Sequence, residues 1–151
     1  MSSLEISNTG IPFLDSLLGG GYLSNSIVVV SYQPGVKIRQ FSFRLGLKKF
    51  EEKMHIILVT FSYPIEQSLN LVKFSLTNPK LNKKIKETLQ IGSLSVIDCF
   101  SITEGEEDSK IGSIHHVSNP FNIDELLSVM ASARERIPKD KQAYWIFYDL
   151  T

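Results

Sequence analysis

The 151-residue chain is 42% hydrophobic and 21% charged, enough apolar material for one compact domain and too little charge for a disordered one. Sixteen Lys plus Arg balance sixteen Asp plus Glu, so the chain lacks the overall basic footprint that drives electrostatic binding to nucleic acid. The single Cys99 excludes an internal disulfide, and His55, His115 and His116 show no Cys/His spacing suited to zinc.

No apolar run approaches the roughly 20 residues of a membrane span. The opening "MSSLEISNTG" also lacks the charged and apolar parts of a signal peptide. A soluble protein of the reducing cytoplasm is therefore expected, folded as one domain over residues 1–151.

In chain order, the first apolar segment is "SIVVVS", Ser26 to Ser31, followed by a Pro34-Gly35 loop and a helical pattern. Three further segments read as strands: "HIILVTF" at 55–61, "SLSVIDCF" at 93–100 and "AYWIFYD" at 143–149. All four are mostly continuous apolar runs, as expected of a parallel sheet covered on both faces. After Pro64, the stripe Ile65, Leu69, Val72 and Leu76 predicts a helix. The only dense basic stretch is "KLNKKIK" at Lys80 to Lys86, read as a solvated helix face with a phosphate-binding patch as the alternative.

Residues 101–121 hold Glu104, Gly105, Glu106, Glu107, Asp108, Gly112 and Pro120. They predict a long surface loop, mobile at its acidic part, with His115 and His116 exposed in it. A helix follows on Ile123, Leu126, Leu127, Met130, Ala133 and Ile137, opened by Asn122 and Glu125 in capping-box spacing and closed by Pro138. Strands alternating with helices predict a three-layer α/β/α fold with a mainly parallel central sheet. Asp98, Cys99 and Trp145 read as a loop-facing carboxylate, a small core thiol and a core aromatic.

Strand, Pro-Gly loop and helix at residues 28–43, "VVVSYQPGVKIRQFSF", are the setting of a phosphate-binding P-loop. Such a loop needs glycines so that backbone N-H groups close round phosphates, a lysine for the β and γ phosphates, and a hydroxyl for magnesium. The preceding stretch, "NTGIPFLDSLLGGGYLSNSIVVVS", resembles the opening of the KaiC-like branch of the RecA superfamily of ATPases, T-G-[IV]-x-x-L-D-x-L-L-G-G-G before the first core strand. Thr9, Gly10, Ile11, Leu14, Asp15, Leu17, Leu18, Gly19, Gly20 and Gly21 match. "SLSVIDCFS" and "VSNPFNIDELLSVMASARERI" are similar to the third strand and following helix of archaeal KaiC-like proteins.

The resemblance implies a RecA-like P-loop fold with strand order 5-1-4-3-2 and a loop at Tyr32, Gln33, Pro34, Gly35, Val36, Lys37, Ile38 and Arg39. Aligned without gaps to V-S-G-x-P-G-T-G-K-T-T, the loop keeps Ser31, Pro34 and Gly35. It places Tyr32 for the first glycine, Lys37 for the glycine before the lysine, Ile38 for the lysine and Arg39 for the magnesium-binding Thr. A one-residue gap moves Lys37 into the lysine slot but puts Val36 for glycine and Ile38 for the hydroxyl. The water-orienting carboxylates of F-E-E become Ser62 and Tyr63, with Glu66 out of register. Asp149 alone fits a Walker B acid, with the capping of the next turn as its ordinary alternative.

The chain ends two residues after Asp149. Two readings stay open: a core cut off after its fourth strand, or a fragment of a longer protein. With the fifth strand absent, Ser26 to Ser31 would be a sheet edge open to a protein partner or a second copy. The expected function is a non-catalytic KaiC/RecA-like domain acting in regulation or protein interaction, with ATPase chemistry lost and no cofactor. Two alternatives are a divergent ATP-binding protein using Lys37 or Arg39 with Asp149 and magnesium, and a RadA-paralogue-like accessory protein of DNA repair.

Overall fold

In the computed structural model, residues 5–33, 38–62, 83, 94–101, 106–109 and 112–148 are described. In chain order they form β1 (Ile6–Ser7), α1 (Pro12–Leu17), β2 (Tyr22–Leu23), α2 (Ile38–Glu51), β3 (His55–Thr60), β4 (Leu94–Asp98), β5 (Glu106–Ser109), β6 (Gly112–His116), α3 (Ile123–Glu135) and β7 (Ala143–Tyr148). The main sheet has the order β5-β6-β4-β3-β7. Its strands β6, β4, β3 and β7 run parallel, and β5 is antiparallel to β6. The helix predicted on Ile65 to Leu76 and the basic stretch Lys80 to Lys86, Lys83 excepted, lie outside the described residues.

Side chains alternate across a strand with period two, which divides the core into two layers. Ile56, Leu94, Val96 and Ile114 meet Leu47 and Phe50 of α2, with Leu58, Tyr144 and Ile146 around them. On the other face Ile57, Val59, Ile97 and Val117 meet Leu126, Val129, Met130 and Ala133 of α3, with Ala143 and Trp145. The protein is thus a three-layer α/β/α sandwich with a mainly parallel sheet.

Three expectations are corrected. The predicted order placed the 93–100 strand beside the 143–149 strand, whereas β7 pairs with β3, and β3 lies between β7 and β4. Burial explains it: five of six β3 residues are buried, as in a central strand, while β7 is mostly half-buried. Second, Ser26 to Ser31 form no strand. Exposure alternates at 94% for Ile27, 53% for Val28, 86% for Val29 and 43% for Val30, so the segment has strand character without a ladder, which β propensity alone cannot supply.

Third, residues 101–121 are not one loop. They contain β5 and β6, a hairpin that extends the sheet, and His115 is buried on the α3 face. The Ile114 and Val117 side chains enter opposite core layers, and that burial holds β6 in place despite its polar neighbours.

The predicted capping box is half formed. Asn122 Oδ1 accepts from the Glu125 backbone N-H at 3.3 Å, but the Glu125 carboxylate reaches back to the Ser118 N-H and hydroxyl, both at 2.6 Å. Those bonds hold its pKa below the usual carboxylate range.

The opening motif builds a separate clasp. β1 and β2 form a two-stranded antiparallel ribbon around α1. Asp15 Oδ1 accepts from the Thr9 N-H at 2.6 Å and the Thr9 hydroxyl at 2.7 Å. Chiefly through the Thr9 hydroxyl, this lowers the Asp15 pKa. Lys49 of α2, 1% exposed, donates to the Ser7 hydroxyl, to the Asn8 carbonyl at 3.1 Å and to Glu52 at 2.9 Å. Its ammonium also lies 5.4 Å from the Tyr22 ring centre and 5.9 Å from that of Tyr144, within cation-π range.

Gly20 and Gly21 of the motif both take backbone conformations that side chains rarely adopt. Gly21 has φ 144°, and a Cβ there would strike the Ser7 carbonyl, whereas Gly20, at φ 117°, faces open space. Gly20→Ala should cost about 1–3 kcal/mol for its backbone alone, and Gly21→Ala distinctly more. Urea unfolding followed by circular dichroism checks this, and equal losses would contradict the close approach at Ser7.

Across the sheet, His55 Nε2 lies 2.8 Å from Ser95 Oγ, which lies 3.1 Å from Ser113 Oγ. Burial, with help from Lys141 and Arg134, lowers the His55 pKa to about 4. The unfolded chain therefore takes up this proton first, so stability falls as pH drops from about 6.5 toward 4. Between pH 7 and pH 5 this group should remove about 2 kcal/mol, and the extra loss over His55→Gln in urea unfolding at the two pH values measures it.

Candidate functional site at the carboxyl ends of the strands

In open parallel sheets, ligands bind beyond the carboxyl ends of the strands. α2 has 14 residues and β3 has 6, which span about 21 Å and about 20 Å respectively. α2 returns to the amino end of β3 through a short turn, and Leu47 and Phe50 near its end pack at Ile56. Its first turn therefore stands level with the carboxyl ends of β3 and β7. This places the start of α2, Ile38 and Arg39, at the mouth of the sheet.

Tyr32 and Gln33 are described and exposed just before this point. Pro34, Gly35, Val36 and Lys37 lie outside the described residues, as do Tyr63, Glu66 and Asp149. Ile38 is half-buried as the first residue of α2. Asp149 follows directly on Tyr148, the last residue of β7.

The described residues add a polar row that the motif did not include. Register aligns Tyr148 with Thr60, Thr60 with Asp98, and Asp98 with His116 across four adjacent strands. By strand periodicity all four stand on the α2 face, and Thr60, Asp98 and Tyr148 are buried. Sequence reading had placed His116 in a solvent loop. The missed signal is the run Ile114, His115, His116, Val117, bounded by Gly112 and Ser118, which suits a short strand.

Asp98 turns to its own loop. Oδ1 accepts from the Phe100 N-H at 2.8 Å and the Ser101 N-H at 3.0 Å, and Oδ2 accepts from the Ser101 hydroxyl at 2.7 Å. His116 Nδ1 is 4.0 Å from Oδ2. The row thus sets hydroxyl, phenol and imidazole groups beside a carboxylate engaged in an Asx-type turn. Among the described residues, no group of three His, Cys, Asp or Glu side chains is arranged to hold a metal. What the geometry supplies is hydrogen bonding.

Cys99 and Trp145 sit in or against the α3-side core. Burial first, then the Asp98 and Glu125 charges, push the Cys99 thiol up to about 11.

No family model matches the chain. The chain is similar to a UPF0273 protein from Aeropyrum pernix. Identity is 27% over 128 residues, covering 83% of this chain and 47% of that relative; the chain spans just under half the length of the protein it matches. Among the described residues, no helix is long and apolar enough to cross a membrane.

Cys99 should resist iodoacetamide at pH 7.5 in the native protein, since only the thiolate reacts. Asp98→Ala releases the turn at Phe100 and Ser101 and removes a charge that opposes the thiolate. Labelling followed by mass spectrometry should therefore speed up in that variant; an unchanged rate would show that the turn does not guard the thiol.

Proposed function

We propose that this protein is a KaiC/RecA-like module without ATPase chemistry, acting in the cytoplasm through protein contacts in regulation or signalling. The observation that carries the reading is joint loss. The sequence positions of the P-loop lysine, the magnesium-binding hydroxyl and both water-orienting carboxylates hold Ile38, Arg39, Ser62 and Tyr63. Phosphoryl transfer depends on lysine, metal and an oriented water acting as a set, so Asp149 alone would not sustain it.

Three further observations support the reading. Thr9, Asp15, Gly21 and their neighbours, which carry the resemblance, are engaged in packing the amino-terminal clasp, a task that outlasts any catalytic one. The similarity to the Aeropyrum pernix protein extends over most of the chain, and zero net charge gives a nucleic-acid role no electrostatic basis.

Calorimetric titration with magnesium and ATP tests the proposal. No binding at micromolar to millimolar nucleotide is expected. Micromolar binding that disappears in Asp149→Ala would replace this reading with a divergent ATP-binding protein using Lys37 or Arg39 and Asp149.

A further inference from the structure

At the amino ends of the strands, opposite the mouth, an imidazole is enclosed on the α3 side of the sheet. His55 opens β3, and by strand periodicity it shares a face with Ile57, as Ser95 does with Ile97 and Ser113 with Val117. His55 is 5% exposed. Its Nε2 lies 2.8 Å from Ser95 Oγ, which lies 3.1 Å from Ser113 Oγ, and Ser113 is half-buried. Nδ1 is enclosed too, and it has no hydrogen-bond partner among the described residues.

That asymmetry places the hydrogen. Buried N-H groups are seldom left without an acceptor, whereas an unmet lone pair is tolerated more often. The tautomer with hydrogen on Nε2 therefore fits: Nε2-H donates to Ser95, Ser95 donates to Ser113, and Ser113 turns its own hydrogen toward the surface. A second proton finds no welcome. β4 and β6 face the ring with the two serine hydroxyls, β7 sets Ala143 beside it, and Arg134 at the end of α3 and Lys141 before β7 act on it with positive charge. Burial, then these two cations, hold its pKa at about 4.

The chain entering β3 is also weakly held. α2 ends in a turn where Lys53 takes φ 63°, a left-handed conformation that disfavours a side chain. A ring at the first strand position, two residues after this turn, can leave the core without breaking the ladder further along. We infer that His55 is a proton-sensitive catch. It carries its hydrogen on Nε2, and a second proton from solvent, taken at Nδ1, keeps the ring out in water and opens the amino ends of β3, β4 and β6 while the mouth stays closed. The ring meets this proton in brief openings and cannot return with two N-H groups.

The test uses the full chain. Nitrogen NMR of the ring at pH 7 should show the Nε2-H tautomer. Amide exchange at pH 7 and pH 5, corrected for the intrinsic pH dependence of exchange and repeated in low urea, locates the opening. Protected amides of residues 55–56, 94–96 and 113–114 should open about 20-fold more often at pH 5, through a fluctuation nearly indifferent to urea. Val59 and Ile97 should exchange only by urea-dependent global unfolding. Global unfolding frees the same ring, so the urea slope, and not the pH effect alone, separates the two routes. His55→Gln keeps a donor toward Ser95 and should abolish the pH response of the amino end, with circular dichroism confirming the fold. An Nδ1-H tautomer, equal urea slopes throughout, or a pH response that survives in His55→Gln would each overturn the inference. The first two need no variant, so they decide the matter even where His55→Gln fails to fold.

Discussion

The structure depends on the complete enclosure of β3. This strand has a parallel neighbour on each side and a helix over each face, so all but Leu58 of its side chains are buried. A strand so placed must be mostly apolar, and "HIILVT" is apolar at its four central positions. Its requirements then locate the other parts. β4 and β7 must supply ladders, α2 must cover Ile56 and Leu58, and α3 must cover Ile57 and Val59. The mouth of the sheet, with Tyr148, Thr60, Asp98 and His116 in a row, is the consequence of four strands ending together.

A second constraint acts at the amino terminus. A lysine is seldom buried unless its ammonium finds several partners, and Lys49 has a hydroxyl, a carbonyl, a carboxylate and two aromatic faces. These contacts fasten the ribbon of β1 and β2 to α2 and, through Tyr144, to the sheet. The glycine-rich opening belongs to this clasp. Gly10, at φ 74°, lies against the Lys48 side chain, where a Cβ would come within 2.6 Å of Cγ, and Gly21 presses on Ser7. The glycine-rich opening thus serves to attach the amino-terminal ribbon to α2.

Much of the architecture was legible because burial writes itself into composition. The strands at 55–60, 94–98 and 143–148 and the helix from Ile123 all follow from apolar runs or helical spacing with a cap. Strand order was not legible, because a run of apolar residues says that a strand is buried but not which neighbour it has. β6 was hidden by two adjacent histidines and by the acidic stretch before it. The segment 26–31 misled in the opposite direction: Val and Ile announce a strand, but a strand exists only where a ladder is made. Of the candidate site, the residue types at 32–39 and at 62–63 could be read from the chain. The polar row could not, because its members are distant in sequence and only parallel register brings them side by side.

The buried chain of His55, Ser95 and Ser113 has an effect beyond its own hydrogen bonds. It crosses three neighbouring strands, with Ser113 level with Ser95 and His55 two residues before the Ile57 that pairs with Ser95, and each member would face the opposite layer if its strand slipped by one residue. Aliphatic side chains tolerate such a slip more readily, since one branched residue can replace another in a greasy layer. Three polar groups hydrogen-bonded in a chain cannot be exchanged in that way. This small polar seam acts as an alignment key, selecting one register of β3, β4 and β6 out of several that hydrophobic burial alone would accept.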